Sequence, residues 1–361
     1  MENWLLRMLE QARKRQREID WSFYCILKQS GAQDERARAL GARVIHSPVL
    51  LRRKVDFIRA LRAELRRGSY DTLHCHHDIV SAVYLLAAAG LPIRRRIVHV
   101  HNADESVPTG SRFRQWVYRE PMRRVCLRMA DRVVGISNYT LDTFLAGRAR
   151  CLSRDLVLYY GVDPTPFENI SADRLSFRRQ WSLPDDALIL LFGGRLVPEK
   201  NPLFVVEVLA KLRNIDSHAF AVFAGSGSQE QPIFKRAREL GVENSVRLLG
   251  WRTDLPEIMS CSDWFILPHP EHPAEGFGLA VVEAQLAGLR MLLSNGILND
   301  PLLPTACFRR LSLAAGSTIW ANGAMELLQQ PTPSRAAAIA ALRESPLDID
   351  CALEGLIALH T

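Results

Sequence analysis

Pro268-His-Pro-Glu-His-Pro-Ala-Glu275-Gly-Phe-Gly-Leu-Ala-Val-Val-Glu283-Ala-Gln-Leu-Ala-Gly288 follows directly on the apolar run Trp264–Leu267. The run reads as a buried strand and the spacing from Ala280 to Ala287 as a helix, so the loop between them leaves a strand's carboxyl end. Open α/β sheets bind their ligands there. Gly276 and Gly278 let the main chain approach a ligand closely, and a helix beginning near Leu279 aims free N–H groups and its positive dipole end at the same point. This combination suits a diphosphate. Glu275 lies in the loop and Glu283 about one turn into the helix. Two carboxylates beside a phosphate would repel it unless they hold neutral hydroxyl groups, which a sugar and a ribose supply.

Gly193-Gly194-Arg195-Leu-Val-Pro-Glu-Lys200-Asn201 has the same placement, between the apolar run Ala187–Phe192 and a helix from Pro202. Arg195 and Lys200 can converge on phosphates at the mouth of the sheet. Phe223-Ala-Gly225-Ser-Gly227 is a further strand exit, and Trp251 or Arg252, after Val246–Gly250, could pack against a base. The segment from Gly225 to Glu230 is no dinucleotide fingerprint, because position 230 is Glu where Gly or Ala is required. With no such turn elsewhere, a nicotinamide-dependent oxidoreductase is excluded.

Strands and helices alternate along the whole chain, predicting parallel sheets covered on both faces. The expected class is α/β, with two doubly wound, Rossmann-like domains: residues 1–170, and residues 171–345 carrying the loops above. The final helix, residues 346–361, is expected to pack back on the first domain. With 361 residues and 48% hydrophobic content, two globular domains are the natural division. Seven scattered cysteines without a Cys-x-x-Cys pair indicate neither disulfides nor a thiolate zinc site. No apolar stretch reaches the roughly 20 residues of a membrane span, so a cytoplasmic protein is expected.

The net charge of +7 is uneven: residues 1–170 hold 29 Lys/Arg against 18 Asp/Glu. Clusters such as Arg13-Lys14-Arg15 and Arg94-Arg95-Arg96 could attract an anionic membrane surface, although solvated helix faces and loops are the more ordinary reading of them. No aromatic-rich basic stripe supports nucleic acid. Histidines gather in His74-Cys-His76-His77-Asp78 and His99-Val-His101-Asn102. A metal is one reading of them, and packing or capping is another.

Glu275-Gly-Phe-Gly-Leu-x-x-x-Glu283-Ala after a strand ending in Leu-Pro, together with Gly194-Arg195 and Lys200, resembles the retaining glycosyltransferases of the GT-B type. The resemblance is to family 4 (group 1), in its exopolysaccharide and lipopolysaccharide branch, and spans nearly the whole chain. It implies transfer of a sugar from a nucleoside diphosphate, UDP first and GDP second, to a glycan or lipid-linked hydroxyl acceptor, with no cofactor and no metal. It implies that Arg195 and Lys200 neutralise the leaving diphosphate, that Glu275 holds sugar hydroxyls and that His101 orients the sugar. Gly194, Gly276, Phe277, Gly278, Leu279, Glu283, Trp251 and Arg252 would bind the nucleotide. One departure stands out, since such proteins open on a strand and Gly-Gly turn and this sequence opens after them. A first strand is therefore expected to be missing. The alternative that follows is a catalytically impaired relative that binds sugar nucleotides or acts as a scaffold.

Overall fold

A computed structural model describes residues 2–103 and 115–361. Two compact units divide the chain, one of Met1–Gly161 with Ile349–Thr361 and the other of Val162–Asp348. The division falls ahead of residue 170 because Val162 is already tied into the second unit. It forms a parallel bridge with Asp348, and its N–H donates to Leu347 O at 2.9 Å.

In the first unit, β1 (Ser22–Cys25) pairs with β2 (Arg43–His46), while β3 (Thr72–Cys75), β4 (Arg95–Val100), β5 (Arg132–Gly135) and β6 (Asp155–Val157) run side by side in chain order. All of these pairings are parallel. Among the described residues no strand joins β1 to β3, so the sheet is split in two. One core nevertheless spans the split: Tyr24 and Ile26 from the β1 side pack against Phe57, Leu61, Cys75 and Val98. On another side of the larger sheet, helix Glu2–Lys14 buries Trp4, Met8 and Ala12 against Leu353 and Leu356 of helix Ile349–His360 and against Ile97 and Val134. The helix Asn138–Leu145 begins with a reciprocal cap. Ser137 Oγ accepts from the Thr140 N–H at 3.1 Å, and Thr140 Oγ1 accepts from the Ser137 N–H at 3.0 Å.

The second unit holds β7 (Leu188–Gly193), β8 (Ala219–Ala224), β9 (Val246–Gly250), β10 (Trp264–Leu267), β11 (Arg290–Ser294) and β12 (Phe308–Leu311), in the spatial order β12-β11-β10-β7-β8-β9. They too are all parallel. The chain moves outward from β7 through β9, then returns to lay β10 on the other side of β7. Strand order therefore reverses between β7 and β10. Trp264, fully buried in β10, donates its indole N–H to Ala324 O at 2.8 Å. No helix among the described residues is long and apolar enough to cross a membrane.

The loops leaving β7 and β8 press together. Gly225, at φ 153°, lies so near the neighbouring loop that a Cβ there would sit 1.9 Å from Gly194 O. Gly90 also has a left-handed backbone, at φ 68°, but open space around it. Gly90→Ala should therefore cost only the conformational term of about 1 kcal/mol. Gly225→Ala should lose about 2–3 kcal/mol, because backbone must move. Urea midpoints of the two variants against the parent chain measure the difference.

Candidate functional site

The loops leaving β7 and β10, on either side of the strand reversal, carry Arg195, Lys200 and Glu275. Lys200 Nζ pairs with Glu275 Oε2, their side chains only 20% and 14% exposed. His269 Nε2 lies 3.6 Å from the same carboxylate oxygen, while its Nδ1 donates to Pro270 O at 2.9 Å. Burial pushes the Glu275 carboxyl up, but Lys200, His269 and Arg195 more than offset this, so it titrates below its ordinary range. Burial likewise holds His269 below the usual imidazole value, against the raising effect of Glu275.

Backbone geometry fixes the pair. Asn201, at φ 50°, donates its side-chain amide to Pro268 O at 3.2 Å and so ties the β7 loop to the β10 loop. The Glu275 N–H donates to Gly296 O at 2.9 Å. Gly278, at φ 83°, ends the loop in the left-handed conformation and starts helix Leu279–Leu286, with Phe277 buried beside it. Glu283 is the fifth residue of that helix and half-buried.

Arg195, Lys200, Glu275 and the Gly276–Leu279 stretch are thus gathered past the carboxyl ends of the neighbouring strands β7 and β10, with Arg195 exposed and near enough to act on Glu275. Gly194 lies on the same loop as Arg195 and is exposed. Trp251 follows β9, two strands from β7, with 73% of its surface open. Arg252 is engaged by Asp254, its Nε donating to Oδ1 at 2.8 Å, and lies over the Trp181 ring at 5.7 Å. His101 belongs to the other unit. Its Nδ1 is 2.6 Å from Tyr160 Oη and its Nε2 2.9 Å from His76 Nδ1, and burial pushes it down to about 3. Sequence reasoning gave no role to His269 or Asn201. The readiness of Asn to adopt a left-handed backbone is the one signal that could have pointed to the second.

Breaking the Lys200–Glu275 pair from one side should be worse than removing both charges. Lys200→Met should lose about 3 kcal/mol by leaving Glu275 charged and enclosed, and adding Glu275→Gln should recover most of it. Because Glu275 is depressed, the parent's stabilisation is present above pH 4.5, its ordinary value, and is lost as pH falls through the lower folded value. Urea unfolding of the parent, single and double variants from about pH 3 to 7 checks both sign and size.

A sequence model of Glycosyltransferase Family 4 matches residues 1–165, and one of Glycosyl transferases group 1 matches residues 173–299. EpsF of Bacillus subtilis is 27% identical over 313 residues, covering 84% of this chain and 79% of that protein. The UDP-Gal:alpha-D-GlcNAc-diphosphoundecaprenol alpha-1,3-galactosyltransferase of Escherichia coli is 25% identical over 287 residues, 75% of this chain and 70% of the relative. Among solved structures, Anabaena Alr3699/HepE in complex with UDP superposes with a TM-score of 0.78 at 19% identity. The alignment covers 99% of this chain and 94% of that one.

Proposed function

Since this chain belongs to glycosyltransferase family 4, within group 1, and has the two-unit GT-B fold, we propose that it transfers a sugar from a nucleoside diphosphate to a hydroxyl acceptor with retention at the anomeric carbon. The observation that carries this reading is the enclosed Lys200–Glu275 pair at the strand reversal, beside the amino end of helix Leu279–Leu286.

Bond cleavage between the anomeric carbon and the diphosphate leaves negative charge on the departing oxygen. Lys200, Arg195 and the helix N–H groups meet that charge already in place, the kind of preorganisation that usually contributes most to lowering such a barrier. A diphosphate drawing Lys200 toward itself releases Glu275 to accept from sugar hydroxyls. Glu283 takes the ribose hydroxyls, and Trp251 supplies an open aromatic face for the base. With two side-chain cations on the leaving group, the transfer step calls for no metal.

UDP is the first choice of nucleotide and GDP the second. The Escherichia coli relative is named for a UDP-sugar and a diphosphoundecaprenol acceptor, and the Anabaena structure holds UDP. By that analogy the acceptor is a glycan or lipid-linked sugar in cell-surface polysaccharide or glycolipid synthesis, met at the inner membrane face. The split sheet of the first unit favours a second reading, a nucleotide-binding relative without turnover.

Melting curves with UDP and GDP, followed by turnover assays with UDP-sugars, separate the readings. Arg195→Ala and Lys200→Ala should each lower turnover at least about 10²-fold. Near-parental turnover in both would remove the assignment, whereas nucleotide stabilisation with no turnover in the parent would select the second reading.

A further inference from the structure

Four histidines occupy one side of two neighbouring strands in the first unit. His74 and His76 alternate along β3 and just past it, and His99 and His101 along β4 and just past it, with His74 opposite Ile97 in the register. The rings stack in pairs, His74 on His76 with centroids 4.1 Å apart and His99 on His101 at 4.5 Å. Trp4 closes the layer, meeting His99 edge-to-face at 5.2 Å. His360 of the helix Ile349–His360 completes it, its Nε2 lying 2.9 Å from His74 Nδ1.

Counting ring nitrogens exposes an imbalance. His74 Nδ1 is taken by His360, and His76 Nδ1 by His101, which is held in turn by Tyr160. His74 Nε2 and His99 Nδ1 face each other at 3.2 Å. His99, fully buried, has its Nε2 without a hydrogen-bond partner. Ligand atoms of His74, His76 and His99 all fall within 4.8 Å of one another.

We propose that His74, His76 and His99 bind one divalent transition-metal ion of the zinc class. Two nitrogens at 2.0–2.1 Å from a tetrahedral zinc are about 3.3 Å apart, close to the 3.2 Å at which His74 Nε2 and His99 Nδ1 share a hydrogen bond that the ion would replace. His360 and His101 accept the second N–H of His74 and His76, the outer support that fixes a ligand's tautomer and turns its Nε2 to the ion, while His99 ligates through Nδ1 and keeps an unpartnered Nε2–H. An all-imidazole set selects Zn²⁺, Co²⁺, Ni²⁺ or Cu²⁺ over Mg²⁺ and Ca²⁺, and three protein ligands leave a fourth position for water. The ion links β3 to β4 and, through His360, to helix Ile349–His360. The transfer chemistry proposed above draws on Arg195 and Lys200 of the other unit.

The full chain, stripped with chelator, is titrated with Co²⁺ and then Zn²⁺. One ion per chain should bind, with the visible bands of tetrahedral Co²⁺, their loss on adding Zn²⁺, and a melting rise of about 5 °C at roughly 100 times the Kd. His74→Gln and His99→Gln should each weaken binding at least about 10-fold, while His218→Gln, in the other unit, leaves it unchanged. Should the variants fail to fold, X-ray absorption of the zinc-loaded parent should show three imidazole nitrogens near 2.0 Å. No Co²⁺ bands and no melting shift at millimolar metal, binding unaltered in folded variants, or a coordination sphere dominated by oxygen would each overturn the site and leave a hydrogen-bonded packing layer.

Discussion

The reversal of strand order between β7 and β10 is the constraint on which the candidate site depends. Loops leaving adjacent parallel strands normally turn along the same direction of the sheet, but here the β7 loop heads toward β8 and the β10 loop toward β11. The crevice between them admits Lys200 from one side and Glu275 from the other, and Asn201 fastens the two loops at Pro268 O. Enclosing opposite charges costs desolvation, and apolar residues of similar volume would often stabilise a fold equally well. The pair therefore says little about how the unit holds together. It points instead to a place where charge must be met.

Much of this was readable in advance because it depends on local order. A loop flanked by an apolar run and a helical repeat must lie at a strand's end, so Glu275, Glu283, Arg195 and Lys200 could be placed without knowing the sheet. Strand order is different in kind, being decided by packing between segments far apart in the chain, and no local pattern encodes it. β12 escaped notice because Arg309 and Arg310 sit at its centre, which an edge strand with one neighbour tolerates. Ahead of helix Glu120–Met129 the chain makes a wider π turn at Gln115–Arg119, which no local pattern encodes. Arg252 looked free to cover a base, yet Asp254, two residues on, holds it in a fork. The role of His269 was hidden because its partner, Glu275, comes from the far end of the same loop.

The surplus of positive charge in the first unit is partly spoken for within that unit. Arg15 pairs with Asp350, Arg17 with Glu354, Arg53 with Asp56 and Arg67 with Glu64, while Arg94 reaches Thr361 O. Apart from Glu64, which is buried, the paired carboxylates lie at the surface, where an ion pair contributes about 0–1 kcal/mol. A phosphate-rich surface could draw such arginines away at little cost. Pairing in the isolated chain therefore fixes the direction of these side chains more than it removes them from the field seen by an anionic partner.

The split sheet poses a separate physical question, because strand edges expose backbone groups that need partners. The first unit answers it with side chains and helices rather than with ladder hydrogen bonds. The Tyr24 ring meets Phe57 at 6.0 Å across a core reached from both sheets, so apolar contact bridges what backbone pairing does not. On the other side, helices Glu2–Lys14 and Ile349–His360, remote in sequence, close over Ile97 and Val134. That face of β3 and β4 is lined with imidazoles where aliphatic groups would pack with less demand for partners. A layer of this kind asks for a partner at every ring nitrogen, and all but His99 Nε2 of those described above have one nearby. Its integrity rests on His360, Tyr160 and Trp4 as much as on the strands that present it, and the stability of the sheet is thereby coupled to helices at opposite ends of the described chain.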